Sequence, residues 1–251
     1  MQNTSSQILD RYIRARYPLI FIVSHEESRV MNSIQSVAKE MKLSNSKKAP
    51  RIVVEWSFTK GLNILTEGKE VDGLRDPKEY SDPNSAMSFV ASFDQTGEHA
   101  PVLFVFKDLH RIMAQDLMTV RYLRDIFANF ETRKHNVIML SPELTIPADI
   151  EKQVAVIDWA LPGVPELEGI LRQAETELDA DLIALNGSRD MVVQAMRGLT
   201  DGEAANALKA GIIASGKLDN SVVQFILNEK KQIIRKSGVL EYFEANVTMS
   251  D

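Results

Sequence analysis

Short runs that are apolar throughout alternate along the chain with stretches in which apolar positions recur every three to four residues. A parallel α/β sheet produces this pattern, because its strands are buried on both faces while its crossover helices carry one apolar stripe. The run LIFIV at 19–23 predicts the first strand, and Val30, Ile34, Val37, Ala38 and Met41 mark one face of an amphipathic helix over 26–43. SNSKKAP at 44–50 ends that helix. RIVVEW (51–56), PVLFVF (101–106), NVIML (136–140) and QVAVIDW (153–159) predict four further strands. Between them, Asp82 and Pro83 have the chemistry of an N-cap and a first-turn residue for a helix of about ten residues. Leu117, Val120, Leu123, Phe127 and Phe130 fall on one face of a helix over 115–130.

After the fifth run the strand pattern stops. Leu167, Ile170, Leu171, Ala174 and Leu178 stripe one helix, and residues from about 181 predict three more. One lies around 188–197, one is opened by Thr200 or Asp201, and one is capped by Asp219 and closed by Gly238. The reading is an α/β region over 1–162 with a five-stranded, mostly parallel sheet and flanking helices. A small all-helical region follows over 163–240, then a linker-like tail over 241–251. The polar excursion 59–80 reads as surface loop.

Composition narrows the chemistry. The chain has no cysteine and four scattered histidines, which excludes disulfides, thiolate catalysis and cysteine-ligated zinc, leaves no expectation of a metal site, and fits a reducing compartment. A net charge of −6 argues against a surface that coats nucleic acid. Two basic clusters remain, KEMKLSNSKKAPR (39–51) and KKQIIRK (230–236), and they read as solvated linker and helix face. The N-terminus lacks a basic segment followed by an apolar one, and no apolar run approaches the ~20 residues of a membrane helix. A cytoplasmic chain with no membrane partner is therefore expected, and the sequons at Asn3, Asn186 and Asn246 are expected to be chance matches.

Several motifs fail on inspection. In GLNILTEGKE (61–70) Gly68-Lys69 is followed by Glu70 rather than Ser or Thr, and Asn63 stands where the leading glycine of a phosphate loop belongs. His25-Glu26-Glu27-Ser28-Arg29 has arginine where a zinc-protease helix needs its second histidine. Ser24 and Ser141 lack the flanking glycines of a strained nucleophile turn, and no Gly-x-Gly follows a strand. His25, Asp108 and His110 all fall near the carboxyl ends of predicted strands, where open α/β sheets bind ligands. The bland expectation for these three is helix capping and mutual hydrogen bonding.

LDRYIRARYPLIFIVSHEESRV (9–30), FVFKDLHR (104–111), LPGVPELEGIL (161–171), GLTDGEAANAL (198–208) and LNEKKQIIRKSGVLEYF (227–243) together resemble the N-terminal half of the Ycf-type AAA ATPases of algal plastids, cyanobacteria, other bacteria and phages. The resemblance covers nearly the whole chain, and QIIRKSGVLEY is its most specific part. It implies an AAA-like sheet of the P-loop NTPase type followed by a helical lid. It also implies that ATP hydrolysis, with ATP and Mg²⁺, belongs to a following module rather than to this chain, and that plastid stroma is the compartment in an alga.

Tested against an active AAA module, the residues depart from the pattern. The loop after the first strand offers Ser24-His25-Glu26-Glu27-Ser28, with carboxylates at the helix start where phosphate would gain from the helix dipole. After the third strand, Lys107 and Asp108 replace the Asp-Glu pair that holds magnesium and polarises water, and a protonated lysine has no lone pair to give. Ser141 is the polar residue after the fourth strand, followed by Pro142, and IPADIEKQVAV (146–156) contains no arginine for a finger. The expectation is a degenerate, non-catalytic AAA-like domain without a cofactor of its own, serving an ATPase module, sister subunits or another protein partner. The alternative is a nucleotide- or nucleic-acid-binding domain without hydrolysis, drawing on Lys107, Lys47, Lys48, Lys230 and Lys231.

Overall fold

The computed structural model describes residues 4–40, 50–94 and 99–236. Several expectations lie outside them: the end of the 26–43 helix, Lys47 and Lys48, Asn3 and Asn246, the stop at Gly238 and the 241–251 tail. The chain divides after Ala160 into two compact units.

The first unit holds α1 (Ser5–Arg14), β1 (Leu19–Val23), α2 (Glu27–Glu40), β2 (Ile52–Ser57), β3 (Gly61–Ile64), α3 (Pro83–Ser92), β4 (Val102–Lys107), α4 (Leu109–Met113), α5 (Leu117–Phe130), β5 (Asn136–Ser141) and β6 (Val154–Asp158). Its six strands run in the order β3-β2-β4-β5-β1-β6. All pairs are parallel except β2 with β3. The five parallel strands stand where the apolar runs predict them.

Strand alternation divides the core. Phe21, Val54, Trp56, Phe104, Phe106 and Met139 face one way with residues of α3 and α5. Ile20, Ile22, Val53, Leu103, Val105 and Ile138 face the other, against Leu9 and Ile13 of α1 and Val30 and Ile34 of α2. Burying a large apolar side chain contributes about 1.5–3 kcal/mol, so these two layers supply most of the drive for folding of this unit.

Three local readings change. Residues 61–64, read as loop, form β3: Gly61 takes φ +70°, a left-handed value glycine adopts without a Cβ clash, and Leu62 is fully buried opposite Trp56. A Cβ at Gly61 would lie 1.7 Å from the Pro77 carbonyl oxygen, so the chain returns tightly over this strand. Leu117, the first residue of α5 after the capping Asp116, is 86% exposed, so the buried stripe of this helix begins at Thr119 and Val120. Neither α1, opened by a Thr4–Gln7 capping box, nor the short α4 was expected.

The second unit contains α6 (Val164–Thr176), α7 (Arg189–Met196), α8 (Asp201–Ser215) and α9 (Ser221–Lys236), packed on Leu167, Leu171, Val193, Met196, Leu208 and Val222. Thr200 caps α8 in a capping box with Glu203, and the Asp219 carboxylate accepts the Ser221 amide at 2.9 Å. Strands do not vanish completely here, since β7 (Ile183–Ala184) pairs in parallel with β8 (Leu218–Asp219).

Candidate functional site at the carboxyl end of the sheet

Side-chain parity decides what meets at the carboxyl end of β4. Lys107 continues the series Leu103, Val105 and so points to the α2 face, as does Glu55, whose register partner is Val105. Glu27 starts α2 on that same face. The Lys107 ammonium pairs with the Glu55 carboxylate and lies 3.1 Å from Glu27 Oε2. Burial pulls the Lys107 pKa down, but the hydrogen bonds and charges of Glu55 and then Glu27 outweigh it, and the lysine ends above its ordinary value. It is a fixed cation at neutral pH.

The two carboxylates of the loop after β1 have separate partners. Glu26 is buried and accepts Arg29 Nε–H at 3.0 Å, while Arg29 also donates to the Ala160 carbonyl. Ser24 Oγ accepts the Glu26 amide at 3.0 Å, and the Ser24 amide donates to the Ser141 carbonyl at 2.9 Å. The carboxylates stand at the start of α2, as expected, and each also meets a cation of the fold.

The remaining expected residues do not form a hydrogen-bonded group. His25 is exposed. Asp108 sits at φ +55° before α4 with no side-chain capping bond, and its amide donates to the Leu140 carbonyl at 3.0 Å. His110 is 2% exposed with both ring nitrogens lacking a hydrogen-bond partner, and the buried Ser141 hydroxyl likewise has none. Capping and mutual hydrogen bonding of His25, Asp108 and His110 is therefore overturned, because the αL turn at Asp108 carries His110 inward while His25 stays at the surface.

Beside Lys107 lies a cavity of about 480 Å³. Lys107, Lys60 and Arg111 line it together with Glu27, Glu55 and Asp108, so its formal charges balance. The basic clusters are partly occupied by the fold: Arg51 donates to the Lys134 carbonyl and to Asn136 Oδ1 at 2.9 Å, and Lys230 donates to the Arg197 carbonyl. Burial, followed by the charges of Arg16 and Arg14, lowers the Arg51 pKa to about 10.

A second polar cluster, which the sequence reading missed, occupies the other end of the sheet. Asp94, at φ +52° after α3, is buried with His135, which precedes β5. His135 Nδ1 accepts the Val102 amide at 3.1 Å, which puts the ring proton on Nε2, and Nε2–H donates to Asp94 Oδ2 at 2.7 Å. His99 Nδ1 lies 2.7 Å from Asp94 Oδ1, and its Nε2 lies 3.3 Å from Asp72 Oδ2. Burial opposes the Asp94 charge, yet hydrogen bonds from His135 and His99 hold its carboxyl well below the usual range. Burial pushes His135 down. No local motif announces this cluster, because its members come together only when β4 and β5 pair.

Among the described residues no group of three or more His, Cys, Asp or Glu is arranged to hold a metal ion, and no helix is long and apolar enough to cross a membrane.

Residues 5–159 match the family described as "SpoVK-like AAA ATPase, N-terminal domain", and residues 165–237 match its "second domain". The chain is 26% identical over 242 residues to the "Uncharacterized AAA domain-containing protein ycf46" of Guillardia theta, covering 95% of this chain and 43% of that protein. For the protein of the same name in Trieres chinensis the identity is 24% over 243 residues, with 95% and 44% covered. The chain thus spans less than half the length of these relatives. Among solved structures, C. elegans PCH-2 is similar at a TM-score of 0.50 and 9% identity, covering 91% of this chain and 67% of that one. The FIGL-1 AAA domain in complex with ADP is similar at 0.50 and 8%, covering 87% and 72%. At these identities the likeness is one of fold.

Proposed function

The chain belongs to the SpoVK-like AAA ATPase family, and from that premise we propose that it is a non-catalytic AAA-like domain, a protein-interaction, regulatory or oligomerisation module for an ATP-hydrolysing remodelling motor. The observation that carries this reading is Lys107 held between Glu55 and Glu27. In an active module the strand contributes the acid and the loop after the first strand contributes the cation. Here the charges are exchanged: the strand end is positive and the start of α2 is negative.

The residues do not fit a magnesium nucleotide. Lys107 takes the position of the magnesium aspartate and repels a divalent cation, and Glu27 stands where a phosphate would seek the helix terminus. On this reading ATP and Mg²⁺ belong to a following module, with an AAA ATPase module, sister subunits or another protein as partner and the cytoplasm, or the stroma in an alga, as compartment.

Calorimetric titration of the purified chain with ATP and Mg²⁺, together with a phosphate-release assay, tests the reading. No micromolar binding and no turnover are expected. Micromolar binding with hydrolysis that Asp108→Ala abolishes would overturn it. Binding without turnover, or salt-sensitive binding of DNA, would favour the nucleotide- or nucleic-acid-binding alternative.

A further inference from the structure

His99 bridges two carboxylates that differ in every respect except charge. The Asp94 side chain is 2% exposed and belongs to the buried cluster with His135. The Asp72 side chain is 83% exposed and sits at the tip of the 71–74 turn, closed by the Leu74 amide on the Val71 carbonyl at 3.0 Å. The imidazole is partly exposed and packs on Phe93 with ring centroids 5.3 Å apart.

The hydrogen-bond inventory fixes what each ring nitrogen does. Asp94 Oδ1 also accepts the His99 amide at 3.2 Å, so this carboxylate is an acceptor toward His99 and requires a proton on Nδ1. A neutral imidazole has one N–H, which Asp94 holds. Nε2 then carries a proton only in the imidazolium form, and as a neutral ring it turns a lone pair toward the Asp72 carboxylate.

We propose that His99 is a proton-operated latch on the 71–74 turn: charged, it ties Asp72 to Asp94, and neutral, it keeps Asp94 and releases Asp72. The proton that leaves is the one on Nε2, which passes to solvent. Asp72, Gly73, Phe89, Phe93, Asp94 and His99 line a cavity of about 340 Å³, so the latch sets one wall of that space.

The groups facing His99 are Asp94 from the end of α3 and Asp72 from the turn, with His135 behind Asp94 and Arg51 and Arg133 acting on His135. Hydrogen bonding to Asp94 and then to Asp72 raises the His99 pKa above its ordinary value. The contribution is therefore complete below the ordinary histidine value and is lost as pH rises through the elevated one. Val71 is buried and Tyr80 Oη donates to the Gly73 carbonyl at 3.3 Å, so release affects the tip of the turn and leaves its base anchored.

The test is an NMR titration from about pH 5 to about pH 9.5 that follows the His99 ring carbons and the Gly73 amide. Both should move with one midpoint above the ordinary histidine value. Asp72→Asn, at an exposed position that folding tolerates, should lower the His99 midpoint by roughly 0.3 pH unit or more. His99→Gln should make the Gly73 shift independent of pH over that range. An unmoved His99 midpoint in Asp72→Asn, or a Gly73 amide that ignores the His99 titration, would overturn the latch.

Discussion

The Lys107 ammonium lies 3.1 Å from the Glu27 carboxylate, joining the end of β4 to the first turn of α2 at the carboxyl end of the sheet. With Glu55 on its other side, this lysine is the centre of a small charged cluster in which neither Lys107 (18% exposed) nor Glu55 (14% exposed) is well solvated. Lys107→Met should cost about 1–3 kcal/mol in urea denaturation, mostly through the carboxylate left behind. Adding Glu55→Gln to that variant should recover part of the loss. Full stability in Lys107→Met would show that the cluster contributes nothing to the fold.

The buried cluster at the opposite end makes stability depend on pH in two steps. Burial keeps His135 neutral, with its pKa below the ordinary 6.5, so stability begins to fall as pH drops through that value, where the unfolded chain takes a proton and the fold does not. Asp94 is held below its ordinary 3.8, so its contribution is complete above that value and is lost as pH falls further. Chemical denaturation at about pH 7, about pH 5 and about pH 3 should resolve both losses. His135→Gln should remove the first loss and weaken the second, and in a His99→Gln background, where the opposing His99 titration is absent, a flat profile between the first two pH values would contradict the assignment.

Gly61 should tolerate no side chain. At φ +70° with the Pro77 carbonyl oxygen 1.7 Å from where a Cβ would stand, Gly61→Ala should cost about 3 kcal/mol or more and abolish hydrogen-exchange protection in β3. Gly68→Ala is the control, since Gly68 has φ +66° but no atom within 4 Å of the added methyl, leaving about 1 kcal/mol of backbone strain. Equal costs for the two would mean that the close return of residues 77–80 over β3 is not maintained in solution.

Features fixed by neighbouring residues were legible in the sequence. The five parallel strands, the Asp82-Pro83 opening of α3 and the Thr200 opening of α8 follow from apolar runs and cap chemistry that act within a few positions. Lys107 and Glu27 could be marked as out of place for a nucleotide site, but Glu55 could not, because its meeting with Lys107 depends on the pairing of β2 with β4 and on side-chain parity. The Asp94–His135 pair, separated by 41 positions, has no local signature at all. His110 was misread for a related reason: proximity to a strand end implies polar company only if the following turn leaves the side chain outside, and the left-handed Asp108 turns it in.

The short strand β3 also decides what stands at the edge of the sheet. Without it, β2 would end the sheet as a row of unpaired amides and carbonyls backed by buried Ile52, Val54 and Trp56, the sort of edge onto which another chain adds by strand pairing. A four-residue antiparallel strand, with the 77–80 turn folded over it and Trp56 Nε1–H bound to the Tyr80 carbonyl at 2.7 Å, closes that template. The polar excursion 59–80 thus takes up the outward hydrogen-bonding groups of β2 and leaves the parallel strands of the sheet with no free backbone at this edge.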